Sequence, residues 1–282
     1  MQQVRTIKDL RDAVRSARRD PDVNTIGLVP TMGALHAGHL SLVEHSRQQC
    51  DVTIASIFVN PKQFAAGEDL GKYPKPLQDD LQALEQLGTD IVFLPSEDEI
   101  YPAGYSCRVT VPNVGRKLEG ESRPSHFGGV VTVVMKLFQM TMADVAFFGQ
   151  KDYQQCLVVK HMVRDLNVPI DIQVCPTVRD PDGLAMSSRN VYLSDQERQA
   201  GLSLSRTLRE TQQAIVQGDT DGRALMAEMT QSLIEGGVTE TDYAVVADPD
   251  TLELMDTVTL PAVLLVAAKV GTTRLLDNFI VE

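Results

Sequence analysis

Strand-like apolar runs and helical stripes take turns along the first part of the chain. Ile7, Leu10, Val14 and Ala17 fall at i, i+3, i+7 and i+10 and predict a short amphipathic helix. Residues 25–29 predict a first strand, and residues 51–59 (DVTIASIFV) are an almost unbroken β-rich run of the kind buried on both faces of a parallel sheet. Asn60-Pro61 ends that run in a turn. After the loop GEDLGKYPKP, Leu77, Leu81, Leu84 and Leu87 form a helical stripe with its stop at Gly88, and a strand over residues 90–94 follows at once. This alternation is the mark of right-handed βαβ crossovers, so an α/β, Rossmann-like parallel sheet is expected.

The pattern continues to about residue 178. Residues 108–111 predict a short edge strand, 115–129 a polar, lid-like loop, 130–140 a buried helix and 144–148 a central strand. Residues 150–167 predict a helix with Cys156, Val159, Val163 and Leu166 on one side, and 171–178 a closing strand. Beyond that the texture changes. Residues 179–190 (RDPDGLAMSSRN) are a linker with turn signals, and Ser194 with Glu197 forms a capping-box pattern ahead of a long polar helix. A second helix is expected over 219–235 and shorter strands over 243–247, 262–267 and 274–281. The expected organisation is a Rossmann-like domain over 1–178 followed by a smaller α+β C-terminal domain over 179–282. The absence of internal repeats excludes a solenoid.

Composition changes this picture little. The chain has 282 residues, 43% of them hydrophobic and 23% charged, enough to bury a full core without staples. A formal net charge of −12 argues against a protein that coats nucleic acid, so an anionic ligand needs a local positive site. Cys50, Cys107, Cys156 and Cys175 lack any C-x-x-C pairing, which suggests neither zinc cluster nor disulfide framework and leaves them reduced and mostly packed. The basic N-terminus has no continuous apolar segment, and no later run is long enough to span a bilayer. A cytoplasmic protein without nucleic-acid or membrane partners is expected.

The chemistry centres on residues 27–42, GLVPTMGALHAGHLSL. A strand that feeds a helix through a glycine turn gathers free N–H groups and the positive end of the helix dipole at one point, which suits a phosphate. With a helix starting near Leu35, His36 and His39 lie on one face, and Gly38 between them permits close approach. The two histidines alone are open to three readings: phosphate ligands, a metal pair, or ordinary surface side chains. Metal lacks a third ligand in the pattern.

Three more segments fall at expected strand carboxyl ends, where ligands of open α/β sheets collect. In FVNPKQF, Asn60 and Gln63 can orient a substrate, although Asn-Pro is also a plain turn. In FFGQKDYQQ, Gly149 follows a strand, Lys151 sits where its charge opposes the helix dipole, and Gln155 lies one turn further on. A bound anion would make sense of that lysine. In AMSSRN, Ser187, Ser188 and Arg189 are a compact set of phosphate donors, of a composition that exposed loops also carry.

Taken together, PTMGALHAGH, FVNPKQF, EDLGKYP, SRPSHFGGVVTVVMKLF, FGQKDYQQ and MSSRN closely resemble the pantothenate synthetases, ligases that join pantoate to β-alanine using ATP. The ordered match runs from about residue 25 to 198 and returns at GTTRLLDN. Lys75 and Lys269 stand where that family often has Arg, away from the residues assigned to chemistry. The resemblance implies pantoate, β-alanine and ATP as small-molecule substrates, Mg²⁺ held mainly by ATP and not by a protein metal site, and a homodimer. It also implies the wider nucleotidyltransferase class, whose H-x-G-H element aminoacyl-tRNA synthetases share; a short acidic chain with no obvious tRNA surface disfavours that branch.

Residue by residue, the resemblance implies ATP contacts from Met32, Gly33, Ala34, Leu35, His36, Ala37, Gly38 and His39, from Gly149, Gln150, Lys151 and Asp152, and from Val178, Met186, Ser187, Ser188 and Arg189. It implies pantoate contacts from Asn60, Gln63 and Gln155, with Gln63 also near β-alanine. Two steps are implied: pantoate and ATP give pantoyl adenylate and pyrophosphate, then the β-alanine amine displaces AMP. The first nucleophile is already a carboxylate, so the obstacle is charge repulsion, and His36, His39, Lys151, Ser188 and Arg189 suit catalytic roles there. No general base for the amine is evident, which points to solvent or substrate-assisted deprotonation. A nucleotidyltransferase with another acceptor, and a nucleotide sensor without turnover, are the competing readings.

Overall fold

In the computed structural model of the chain, which describes residues 1–65 and 68–282, the β-rich runs of the first half lie side by side. Among the described residues, β1 (Gln2–Val4), β2 (Ile26–Thr31), β3 (Val52–Ile57), β4 (Ile91–Phe93), β5 (Val145–Gly149) and β6 (Asp171–Cys175) form one parallel sheet in the order β1-β4-β3-β2-β5-β6. The register between β2 and β3 runs from Ile26 opposite Val52 to Thr31 opposite Ile57. Leu28, Val29, Ile54, Ala55, Val92 and Phe147 are buried on consecutive positions as well as alternate ones, because helices cover both faces. From β2 the chain builds outward to β3 and β4 on one side, where β1 adds the edge, and then to β5 and β6 on the other. The carboxyl end of β2 is therefore the topological switch point.

The connecting helices are α1 (Ile7–Ala17), α2 (Ala37–Gln49), α3 (Leu77–Gln86), α4 (Glu97–Ile100), α5 (Glu119–Ser122), α6 (His126–Thr141) and α7 (Tyr153–Asp165). Several expectations are corrected. β1 escaped the pattern because three residues are too few to show a period. Residues 108–111 are not a strand; the Val109 N–H donates to Thr132 Oγ1 (3.0 Å) and not to a sheet partner. Residues 115–129 are not a plain polar loop: they hold α5 and the first turn of α6. Buried Gln154 organises them, its Nε2 donating to Val114 O and Lys117 O (both 2.7 Å) and its Oε1 accepting from Glu119 N (3.1 Å). Leu166 is 53% exposed because α7 has already ended, and Asn167 turns the chain at φ 51°. β6 ends at Cys175, short of residue 178. Gly67, the head of the GEDLGKYPKP loop, lies outside the described residues.

The remaining elements are α8 (Asp195–Val216), α9 (Gly222–Glu235) and the antiparallel strands β7 (Glu240–Ala247), β8 (Ala262–Val270) and β9 (Thr273–Val281), in the order β7-β8-β9. The capping box at Ser194 and Glu197 is formed, with both reciprocal bonds present. Leu204 and Leu208 of α8 and Leu225, Met229 and Leu233 of α9 pack with Val246, Leu264 and Val266 of the sheet. Each such fully buried side chain contributes about 1.5–3 kcal/mol. The chain divides into two compact units, Met1–Gly149 with Gln154–Pro176, and Gln150–Tyr153 with Thr177–Glu282.

Candidate active site

In the first unit the switch-point turn is built by its backbone. Thr31 Oγ1 donates to Ser56 O (2.7 Å) and accepts from Gly33 N (3.2 Å), closing the end of β2. Gly33 and Ala34 both take positive φ, 83° and 51°, a conformation natural to the glycine and strained for the alanine. The strain is held by Asp80 of α3, a side chain 3% exposed whose carboxylate accepts from Ala34 N (2.9 Å) and Leu35 N (2.7 Å). α2 then starts at Ala37, two residues later than expected, because His36 is its N-cap: the ring Nδ1 accepts from Gly38 N (3.2 Å). That bond leaves Nε2 of the neutral His36 ring as the N–H donor. The His36 and His39 rings come together at 4.1 Å between centroids.

Beside this turn, the Pro61–Gln63 turn presents Gln63. Asn60 caps it, Oδ1 accepting from Lys62 N (3.2 Å) and from the Tyr101 hydroxyl (2.8 Å). Its Nδ2 must then face Gly129 O (3.2 Å) and Gln63 Oε1 (3.0 Å). Gln63 is thereby fixed with Nε2 directed toward Met32 Sδ at 3.1 Å, so its donor end faces the switch-point turn. Gly129 is required for this contact, since a Cβ there would stand 2.2 Å from Lys62 O. His126 Nδ1 donates to Gln63 O (2.9 Å), and burial, then the Arg123 charge, push its pKa down to about 4. Arg123 also grips Glu68 at two points (2.9 and 2.7 Å); burial disfavours the Glu68 charge, and Arg123 more than offsets that, holding its pKa below the usual range. Gln155 is half-buried near the start of α7, and a Cβ on Gly149 would meet open space.

The second unit carries the other predicted residues. Gln150, Lys151 and Asp152 form a 3-10 turn, with Lys151 Nζ 3.4 Å from Asp152 Oδ1. Met186 N–H donates to Val178 O (3.0 Å), and Ser187 caps a second 3-10 turn, Ser188–Tyr192, by accepting from Arg189 N (3.3 Å). The structure thus gathers His36, His39, Met32, Gly33, Asn60 and Gln63 in one unit, and Lys151, Val178, Met186 and Ser187–Arg189 in the other. Among the described residues no three His, Cys, Asp or Glu side chains stand together as a metal cage. Asp80, Tyr101, Gln154 and Gly129 were not anticipated. Their only sequence signal is a polar or small residue at a position the helical pattern leaves free.

A six-stranded parallel sheet with helices on both faces places the first unit in the Rossmann-like α/β class. Within that class, the chain belongs to the pantoate–β-alanine ligase family, whose model matches residues 2–280. It is 53% identical to the pantothenate synthetase of Rhodopirellula baltica, covering 95% of each chain. The pantothenate synthetase structure from Thermus thermophilus superposes with a TM-score of 0.92 at 40% identity, covering 99% of each chain. The Francisella tularensis pantoate–β-alanine ligase, solved with beta-gamma ATP and β-alanine, gives 0.81 at 36% identity over 99% of this chain and 97% of its own.

Proposed function

We propose that this chain condenses pantoate with β-alanine at the expense of ATP, through a pantoyl adenylate, releasing pyrophosphate and then AMP. The observation that carries the reading is the family match over residues 2–280, joined to a formed H-x-G-H cap with paired imidazoles. In the first step a pantoate carboxylate oxygen attacks the α-phosphorus and the bond to pyrophosphate breaks. His36, His39, Lys151, Ser188 and Arg189 supply positive charge and donors where negative charge accumulates, each worth about 3 kcal/mol by analogy with oxyanion donors. In the second step the uncharged amine attacks the acyl carbon, AMP leaves, and the amine proton passes to solvent or substrate.

Gln63, held by Asn60 with its donor end toward the switch-point turn, suits a carboxylate or hydroxyl oxygen, which is what pantoate and β-alanine present. Met32 to His39, Gly149 to Asp152, and Val178 with Met186 to Arg189 are read as the nucleotide contacts, and Asn60, Gln63 and Gln155 as the pantoate contacts. Mg²⁺ is read as arriving with the nucleotide, held mainly by its phosphates, as part of the substrate. A cytoplasmic homodimer completes the reading. The test is AMP release from ATP: it should require both pantoate and β-alanine, and turnover with either one alone, or with neither, would refute the assignment.

A further inference from the structure

The C-terminal GTTRLLDN motif stands apart from every segment read as touching substrate, yet it carries two adjoining buried polar side chains on β9, Asp277 (3% exposed) and Asn278 (2%). Asn278 Nδ2 donates to Gln150 O and Lys151 O, both at 2.9 Å, and its Oδ1 accepts from Gln150 Nε2 at 3.2 Å. Two carbonyl acceptors fix the amide's orientation, since only its NH₂ end can face them. Asp277 takes the Arg179 guanidinium at two points, 2.6 and 2.8 Å, and Arg179 also donates to Gly183 O (3.1 Å). Arg179 is bridged to Ala185, two residues ahead of Ser187. Asp277 Oδ1 further accepts the Asn278 N–H (2.8 Å), and β9 packs against both 3-10 turns, Gln150–Asp152 and Ser188–Tyr192.

We propose that β9 anchors both turns, Asn278 setting the backbone of Lys151 and Asp277, through Arg179, that of Ser188–Arg189, which makes Asn278 a positioning residue for adenylate formation through Lys151. This rests on Lys151 acting in that step as read above. Asn278→Asp would place a carboxylate oxygen against two carbonyl oxygens, and Asn278→Ala would remove the donor without adding charge. Single-turnover pyrophosphate release from ATP and pantoate, measured on the full chain, should fall about 100-fold in either variant, the scale of a misplacement near 1 Å. Transfer of preformed pantoyl adenylate to β-alanine should stay within about twofold. Leu275→Ala, a core truncation on the same strand, should lower stability but leave pyrophosphate release within about twofold.

The decisive comparison is made in a Lys151→Ala background, where Asn278→Ala should add no more than about twofold. A slow Lys151→Ala beside folded Asn278 variants of normal rate would overturn the anchor and leave the reading of Lys151 standing. A normal Lys151→Ala would overturn both. A full further loss in the double variant would assign Asn278 to general packing and overturn the positioning role. Should the Asp variant fail to fold, the Ala variant carries the same comparisons.

Discussion

Asp80→Asn isolates what holds the switch-point turn. The substitution is isosteric, so it opens no cavity, and it leaves the carbonyl able to accept one of the two N–H groups now bound at 2.9 and 2.7 Å. The other N–H is left facing an NH₂ group. A hydrogen bond to a charged acceptor contributes about 1.5–3 kcal/mol, so losing one and weakening the other costs about 2–4 kcal/mol at a side chain this buried. Ala34 sits at φ 51°, and without the carboxylate it can relax out of that strained region. Urea unfolding should therefore show the loss in stability, and ATP-dependent turnover should show a KM for ATP raised about tenfold or more as the turn loses its shape. Asp79→Asn, on the exposed neighbour, should stay within about 0.5 kcal/mol and keep its KM. Equal stability and equal KM for the two variants would refute the role given to Asp80.

His126 yields a pH prediction with a definite sign. Its pKa in the fold is about 4 against 6.5 ordinarily, so between those values the unfolded chain binds a proton that the native one does not. Stability should fall as pH drops from about 6.5 to 4, by up to about 3 kcal/mol, and His126→Asn should flatten that slope in urea unfolding; an unchanged slope would refute it. Tyr101→Phe removes the hydroxyl bonded to Asn60 Oδ1 and should cost about 1 kcal/mol in stability while raising the KM for pantoate more than the KM for ATP. Equal changes in the two KM values would show that the hydroxyl does not act through Gln63.

Much of the fold was legible because burial on both faces writes itself into consecutive positions. The run around β3 and the leucine stripe of α3 needed no partner to be read. The types of the candidate site residues were legible for a similar reason: His36, Lys151 and Arg189 stand out against their neighbours by charge or rarity. What supports them was not. Asp79 and Asp80 are identical letters, and only the packing of α3 buries one and exposes the other. Gln154 and Gln155 repeat the case, the first turned inward to hold residues 114–119. Gln150 and Asn278 lie 128 positions apart, a distance at which no periodicity carries information.

The buried anchors share one logic. A turn at a strand end leaves backbone groups without ladder partners, and where the turn is packed, water cannot serve them. A side chain of matching valence does: a carboxylate accepts from Ala34 and Leu35, an amide NH₂ serves the carbonyls of Gln150 and Lys151, and Gln154 uses both ends of its amide around Glu119. Asp and Asn are nearly the same shape, so shape cannot distinguish the two anchors; donor count can. Exchanging them should therefore fail in opposite senses, Asp80→Asn by setting a donor against a donor and Asn278→Asp by setting an acceptor against two acceptors. The second exchange also places a negative charge beside two carbonyl dipoles in a site 2% exposed, so it should be the more costly of the two.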